Sequence, residues 1–151
     1  VYDYCEKHDI ECILGGMNAG DTLPKGVSLE DFWRRRRYKF FEQFASPDTP
    51  VITCHHLDDC VETWVWSSMH GDGKIIPYRN KNVIRPFRLN RKRDLELWAD
   101  LNNVPYIQDE SNTDTRFTRN FIRHEMMPNV LRVNPGIHKV IKKKVADEFN
   151  K

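Results

Sequence analysis

The sequence predicts an α/β fold: part of a parallel sheet with flanking helices, followed by a helical segment. Three observations lead there. Short apolar runs at 10–14, 51–54 and 83–84 have strand length and sit between longer segments of helical periodicity. The run at 51–54 passes directly into a helical pattern, as in a strand–loop–helix unit. Beyond residue 91 the pattern is almost wholly helical.

Taken in order, residues 1–7 read as the last turns of a helix, followed by the strand at 10–14 and a Gly-rich loop to Gly26. Ser28 is an N-cap, with Asp31 three residues on in the reciprocal place of a capping box. Leu29, Phe32, Trp33, Phe40, Phe41 and Phe44 recur at three- and four-residue steps, which predicts an amphipathic helix over 29–45. Its run Arg34 to Arg37 crosses the apolar stripe, so at least one head group lies at the border. Pro50 precedes the run 51–54, read as a buried strand, and a helix spans 58–69. Val83 and Ile84 form a further strand closed by Pro86. Asn90 caps a helix over 91–103 with Leu95, Trp98 and Leu101 inward. Residues 104–107 are extended, and 118–127 is helical until Pro128 interferes. A final helix follows Asn134-Pro135-Gly136.

At 151 residues the chain can bury a real core. A net charge of +2 excludes a histone-like binder, although Arg34 to Arg37 and Lys139 with Lys142 to Lys144 are local basic clusters. Cys5, Cys12, Cys54 and Cys60 have neither disulfide-scaffold nor C-x-x-C spacing. With no apolar stretch near membrane-span length, the expectation is a reduced, cytoplasmic protein without a membrane partner.

The densest chemistry is "HHLDDCVETW", residues 55–64, where a strand's carboxyl end meets a helix N-terminus. On a helix, Asp58 and Glu62 are i,i+4 and Asp59 and Glu62 are i,i+3, spacings at which like charges repel. The helix dipole or a bound cation can offset that repulsion. Three readings stay open: a charged helix start, a magnesium–phosphate site, and a zinc site from Cys54, His55, His56 and Cys60. Gly15 and Gly16 suggest a phosphate-cradling loop but lack the G-K-[ST] of a P-loop, which favours an ordinary surface loop. "RRRRY" at 34–38 reads as a solvated face or as a phosphate or nucleic-acid contact. In "DESNTDTRFTRNFIR", 109–123, the arginines either tie the turn by Asp–Arg pairs or present Arg119 and Arg123 together to phosphates.

Four segments together resemble the tRNA(Ile)-lysidine synthetase family of the N-type ATP pyrophosphatase (PP-loop) superfamily, over about residues 28–135. "EDFWRRRRYKFF" is similar to the family's Glu-x-x-x-Arg-x-x-Arg-Tyr helix through Glu30, Arg34, Arg37 and Tyr38. "HHLDDCVET" resembles His-His-x-Asp-Asp-Gln-x-Glu-Thr, with Cys60 in place of Gln. "IRPF" resembles Ile-Arg-Pro-Leu, and "DESNTDTRFTRNFIRHEMMP" resembles Asp-x-Ser-Asn…Arg-Asn-x-Ile-Arg…Pro.

The resemblance implies a Rossmann-like (adenine nucleotide alpha hydrolase-like) sheet. Residues 1–88 would be the C-terminal part of the nucleotide-binding domain and 89–151 a helical extension. It implies adenylation by ATP of the C2 oxygen of the wobble cytidine in an isoleucine tRNA with a CAU anticodon, then attack by the ε-amine of free L-lysine. Asp59 would hold Mg²⁺, Glu62 and Asp58 would orient the lysine ammonium, and His55 would contact nucleotide or substrate. Arg34 would offset phosphate charge, Arg37 and His56 would bind the nucleotide, and Arg35, Arg119 and Arg123 would bind tRNA. A homodimer is compatible with the sequence. The family's Ser-Gly-Gly-x-Asp-Ser ATP loop is not found; Leu14, Asn18 and Ala19 stand where Ser, Asp and Ser are needed. The expectation is an N-terminally truncated sequence, inactive as given and short of the C-terminal tRNA-binding domains of longer members. Two other readings remain: a tRNA-thiolating PP-loop enzyme using Cys54 and Cys60, and a non-catalytic RNA-binding homologue.

Overall fold

The computed structural model describes residues 1–16 and 20–150; Asn18 and Ala19, compared above with the ATP loop, lie outside them. The chain divides into two compact units, Val1–Phe44 and Ala45–Lys151.

In the first unit, α1 (Tyr2–Lys7) closes with Asp9 in the left-handed region at φ 53, and the Ile10 N–H returns 2.8 Å to the Cys5 carbonyl. The strand expected at 10–14 does not form. Apolar composition makes a segment suitable for a sheet, but a strand exists only through a ladder partner, and no pairing is made here among the described residues. α2 (Leu29–Phe41) begins as the sequence predicts, the Ser28 hydroxyl accepting from the Asp31 N–H at 3.2 Å. It ends four positions before the expected 45, where the Phe44 N–H turns back to the Phe41 carbonyl. Phe40 and Phe44 still pack edge to face with ring centroids 5.2 Å apart. A Cβ at Gly15 would lie 2.7 Å from the Phe40 ring, so close packing accounts for this glycine without a phosphate.

The second unit contains a three-stranded sheet of order β1 (Val51–Ile52), β3 (Val83–Ile84), β2 (Arg79–Asn80). β1 and β3 are parallel, with Val51 opposite Val83 and Ile52 opposite Ile84; β2 pairs antiparallel with β3. The intervening helix α3 (Leu57–Met69) makes this a crossover, as the strand–helix reading requires. β1 is not the buried strand expected: it has two residues, and Ile52 is 57% exposed. A mean apolar run reports that a strand can be covered, not that a layer covers it.

The core joins α3 to α7 (Ile137–Ala146). Leu57, Cys60, Val61 and Val65 meet Ile137, Ile141 and Val145 at helical spacing, with Ile122 and Met127 closing the cluster. It therefore runs across residue 88, the boundary read from sequence. The 3-10 turn Pro86–Leu89 adds buried Arg88, whose Nη1 lies 2.5 Å from both the Ile76 carbonyl and Glu148 Oε2. α4 (Lys92–Leu101) is shorter than 91–103. Asn90 is not its cap; its carbonyl accepts from the Leu57 N–H at 2.8 Å, and Asp94 bonds the Arg91 N–H instead. Trp98 and Leu101 face solvent, contrary to expectation, because periodicity groups residues on a face without saying what covers it.

Pro128 does not end its helix. α5 (Thr118–Phe121) runs through a π turn, Ile122–Met126, into α6 (Met127–Val133), whose first turn takes the proline. Missing N–H groups are tolerated at a helix start, and the π turn supplies a fresh start inside a continuous run. The fully buried Ile141 makes a test of this core. Ile141→Ala should lower unfolding free energy by about 2–5 kcal/mol in urea titrations; a loss below about 1 kcal/mol would mean that α7 is not seated as described.

Candidate functional site

The site is built on the first turn of α3. His56 is its N-cap: its Nδ1 accepts from the Asp59 N–H at 3.3 Å, and its own N–H donates to Asp59 Oδ2 at 3.0 Å. This is a capping box in which imidazole replaces the usual hydroxyl, and it requires an unprotonated Nδ1. The box sets the entry angle of the chain and sends the neighbouring carboxylates of Asp58 and Asp59 to different partners.

Asp59 and Glu62 are both buried and lie one turn apart. Asp59 Oδ1 accepts from Arg119 Nη2 at 2.6 Å and from Arg123 Nη2 at 3.3 Å. Glu62 accepts from Arg123 through Nε at 2.8 Å and Nη2 at 3.0 Å, a two-pronged pairing. Arg119 Nε lies 3.6 Å from Glu62 Oε2. Two carboxylates thus face two guanidinium groups; hydrogen bonding to Glu62 holds the Arg123 guanidinium above its usual range. Arg119 and Arg123 keep the i,i+4 relation expected of them, but their head groups turn inward. They supply the countercharge that the buried carboxylates require, while 42% of the Arg119 side chain stays exposed. Arg116 does form the local pair expected, 2.7 Å from Asp114.

Asp58 points elsewhere. Its Oδ1 accepts from His138 Nε2 at 3.0 Å and its Oδ2 from the Lys92 N–H at 2.8 Å, with Arg91 Nη2 at 3.7 Å. Burial acts to raise its pKa, but the bonds from Lys92 and His138 outweigh it and keep the carboxyl below the ordinary carboxylate range. Unlike Asp59 and Glu62, Asp58 has a quarter of its side chain exposed, and its guanidinium neighbour Arg91 stands at 3.7 Å.

His55 leans back on β1, its Nδ1 3.0 Å from the Thr53 hydroxyl. Burial, assisted by Arg85 and Arg119 against the pull of Asp59, depresses its pKa to about 4. It is therefore neutral near pH 7. Cys60, in the position of the family's Gln, is fully buried in the core, and burial pushes its thiol up to about 12. Cys54 is exposed. The zinc reading fails on this divergence, and among the described residues no three His, Cys, Asp or Glu groups are arranged to hold a metal. Asp59 Oδ2 takes one backbone N–H and Oδ1 two guanidinium donors, so Mg²⁺ on Asp59 would share these oxygens with those donors.

In the first unit, Arg34 stacks over the Tyr38 ring at 5.7 Å, Arg35 pairs with Asp31 at 2.6 Å, and Arg36 pairs with Asp21. Arg34, Arg35 and Arg37 are exposed. Two residues escaped the sequence reading. Asn120 is buried and donates to the carbonyls of Ser111 (2.8 Å) and Asp114 (3.0 Å), fixing the 110–114 turn against α5. Its signal was its place inside the arginine motif. His138 gave no signal beyond being a histidine early in a helix.

The depressed His55 value has a testable sign. In the unfolded chain this ring takes up a proton from its ordinary 6.5 downward, while the folded protein does so only near 4. Stability from neutral His55 is thus present above pH 6.5 and is lost as pH falls through that window. His55→Gln should show a smaller drop in urea-unfolding free energy between pH 7 and pH 5 than the parent; an equal drop would remove His55 as the cause.

Comparison with known proteins gives the family. Residues 1–130 match the PP-loop domain family. The chain is 32% identical over 142 residues to the tRNA(Ile)-lysidine synthase of Thermosipho africanus, covering 89% of this chain and 33% of that protein. It is 33% identical over 149 residues to the tRNA(Ile)-lysidine synthase of Francisella tularensis subsp. holarctica (91% and 36%), and 33% identical over 127 residues to that of Thermotoga maritima (80% and 31%). It spans about a third of the length of these curated relatives. With the family match running over most of its residues, the chain belongs to the PP-loop family.

Proposed function

We propose that the chain carries part of the catalytic centre of an ATP-dependent ligase that joins lysine to C2 of the wobble cytidine of an isoleucine tRNA, forming lysidine. The observation that carries this reading is the division of labour on α3: Asp59 and Glu62 are paired with Arg119 and Arg123, while Asp58 beside them stays partly exposed and is held by His138 and the Lys92 N–H. Its relatives in Thermosipho africanus and Francisella tularensis are tRNA(Ile)-lysidine synthases, which supports this reading.

In the first step the cytidine C2 oxygen attacks the α-phosphorus of ATP and pyrophosphate leaves. In the second, the lysine ε-amine attacks C2, AMP departs with the oxygen, and the nitrogen sheds a proton. Lysine arrives as an ammonium and must react as an amine. Asp58 suits the arriving cation. The exposed Arg34, Arg35 and Arg37 serve phosphates of ATP or tRNA, so affinity from them should fall steeply with salt. Sulfur transfer needs an accessible thiolate, so buried Cys60 could not take part in the thiolation reading and the exposed Cys54 would have to serve without it.

Two measurements test the proposal in the protein expressed from its complete reading frame. Asp59→Asn should cut ATP-dependent incorporation of labelled lysine into tRNA by at least about 100-fold, with thermal melting reporting whether the fold survives. A folded variant with parental incorporation would remove the cluster from the mechanism, and a parent that binds tRNA yet incorporates nothing would favour the RNA-binding reading. Replacing Arg34 and Arg37 together with alanine should raise KM for ATP or tRNA and flatten its salt dependence; parental kinetics would return the run to a solvated face.

A further inference from the structure

His138 lies outside every motif discussed above, in the first turn of α7, yet its imidazole reaches the first turn of α3. Its Nε2 is 3.0 Å from Asp58 Oδ1, and only 12% of the His138 side chain is exposed. An ionised carboxylate accepts and never donates, so this nitrogen must carry the proton. The contact is therefore an N–H···O bond of fixed polarity, whichever charge the ring bears.

The rest of the Asp58 environment shows what the bond does. Oδ2 is held by the Lys92 N–H at the start of α4, and Arg91 Nη2 and His56 Nδ1 stand at 3.7 and 3.6 Å. One oxygen is thus fixed by α4 and the other by α7, which leaves the carboxylate no free rotation about its last torsion. Each oxygen makes one close bond and keeps acceptor capacity. A carboxylate oriented this way can receive a cation without paying to order itself first. Without His138, Oδ1 would lose its fixing donor, and the group could swing about its remaining anchor.

We propose that His138 is a positioning residue that aims the Asp58 carboxylate at the ε-ammonium of the incoming lysine. This rests on the reading of the site as a lysine-ligating centre. It assigns to α7 a part in substrate selection beyond its part in the core. His138 does not touch the reacting atoms; it acts through Asp58. The neighbouring Asp59–Glu62–Arg119–Arg123 cluster has its own partners and does not depend on this bond.

The test compares three variants of the protein expressed from its complete reading frame, by steady-state incorporation of labelled L-lysine into tRNA. His138→Ala and His138→Phe remove the donor, the second while keeping ring bulk. His138→Gln keeps an N–H donor. Losing a hydrogen bond to a charged group should raise KM for lysine by about tenfold or more in the Ala and Phe variants, with KM for ATP unchanged. His138→Gln should recover most of that loss. A merely structural role would instead lower Tm and kcat together in Ala, Phe and Gln alike. Unchanged KM for lysine in a folded donorless variant, or a Gln variant as impaired as the Ala variant, overturns the proposal. A parent enzyme that incorporates no lysine at all fails the ligase reading itself, which separates that failure from this one.

Discussion

Two carboxylates buried one helical turn apart cannot both stay ionised without countercharge at close range, and the geometry of the second unit follows from that requirement. Asp59 and Glu62 would repel each other and lose hydration together. The chain answers with Arg119 and Arg123, drawn from 60 and 61 residues downstream and closed onto the carboxylates at 2.6 and 2.8 Å. Removing either partner would leave an uncompensated charge in the interior. The pairing therefore constrains where α5 and the π turn after it can lie.

The apolar core and the polar cluster are fixed by the same helix. One face of α3 buries Leu57, Val61 and Val65 against α7, while its first turn carries the acidic residues. Cys60 shows how closely the two are interleaved: it stands between Asp59 and Val61 in sequence and points into the core. A rotation of α3 that exposed Cys60 would also dismantle the ion pairs. Packing thus sets the orientation of the carboxylates, and the carboxylates in turn select a single seating for α5.

Much of this was legible from residue patterns. The Ser28 cap, the parallel strand–helix unit around 51–69 and the final helix after Gly136 follow from local rules of capping, periodicity and turn chemistry. The crowding of acid in "HHLDDCVETW" correctly signalled a need for cations. What the pattern could not supply was their source. Metal and helix dipole are the local candidates, whereas the guanidinium groups come from across the fold, and no local rule encodes a pairing over 60 residues. The same limit explains the exposed Trp98 and Leu101, and the unpaired segment at 10–14: coverage and strand pairing are non-local facts. His56 illustrates a different limit. Its sequence position suggested a ligand, but a ring nitrogen can replace a hydroxyl as a cap when the backbone presents it correctly.

The long reach of the Asp59–Arg119 and Glu62–Arg123 pairs has a consequence during synthesis. Until residue 123 has left the ribosome, a nascent chain that has already formed α3 holds its acidic turn without its countercharges. Such a turn is hydrated and open, and its closure costs the entropy of a loop of about 60 residues. The site consequently comes into being as a late event, coupled to docking of the downstream helices. A translating ribosome would expose no finished cluster of ion pairs.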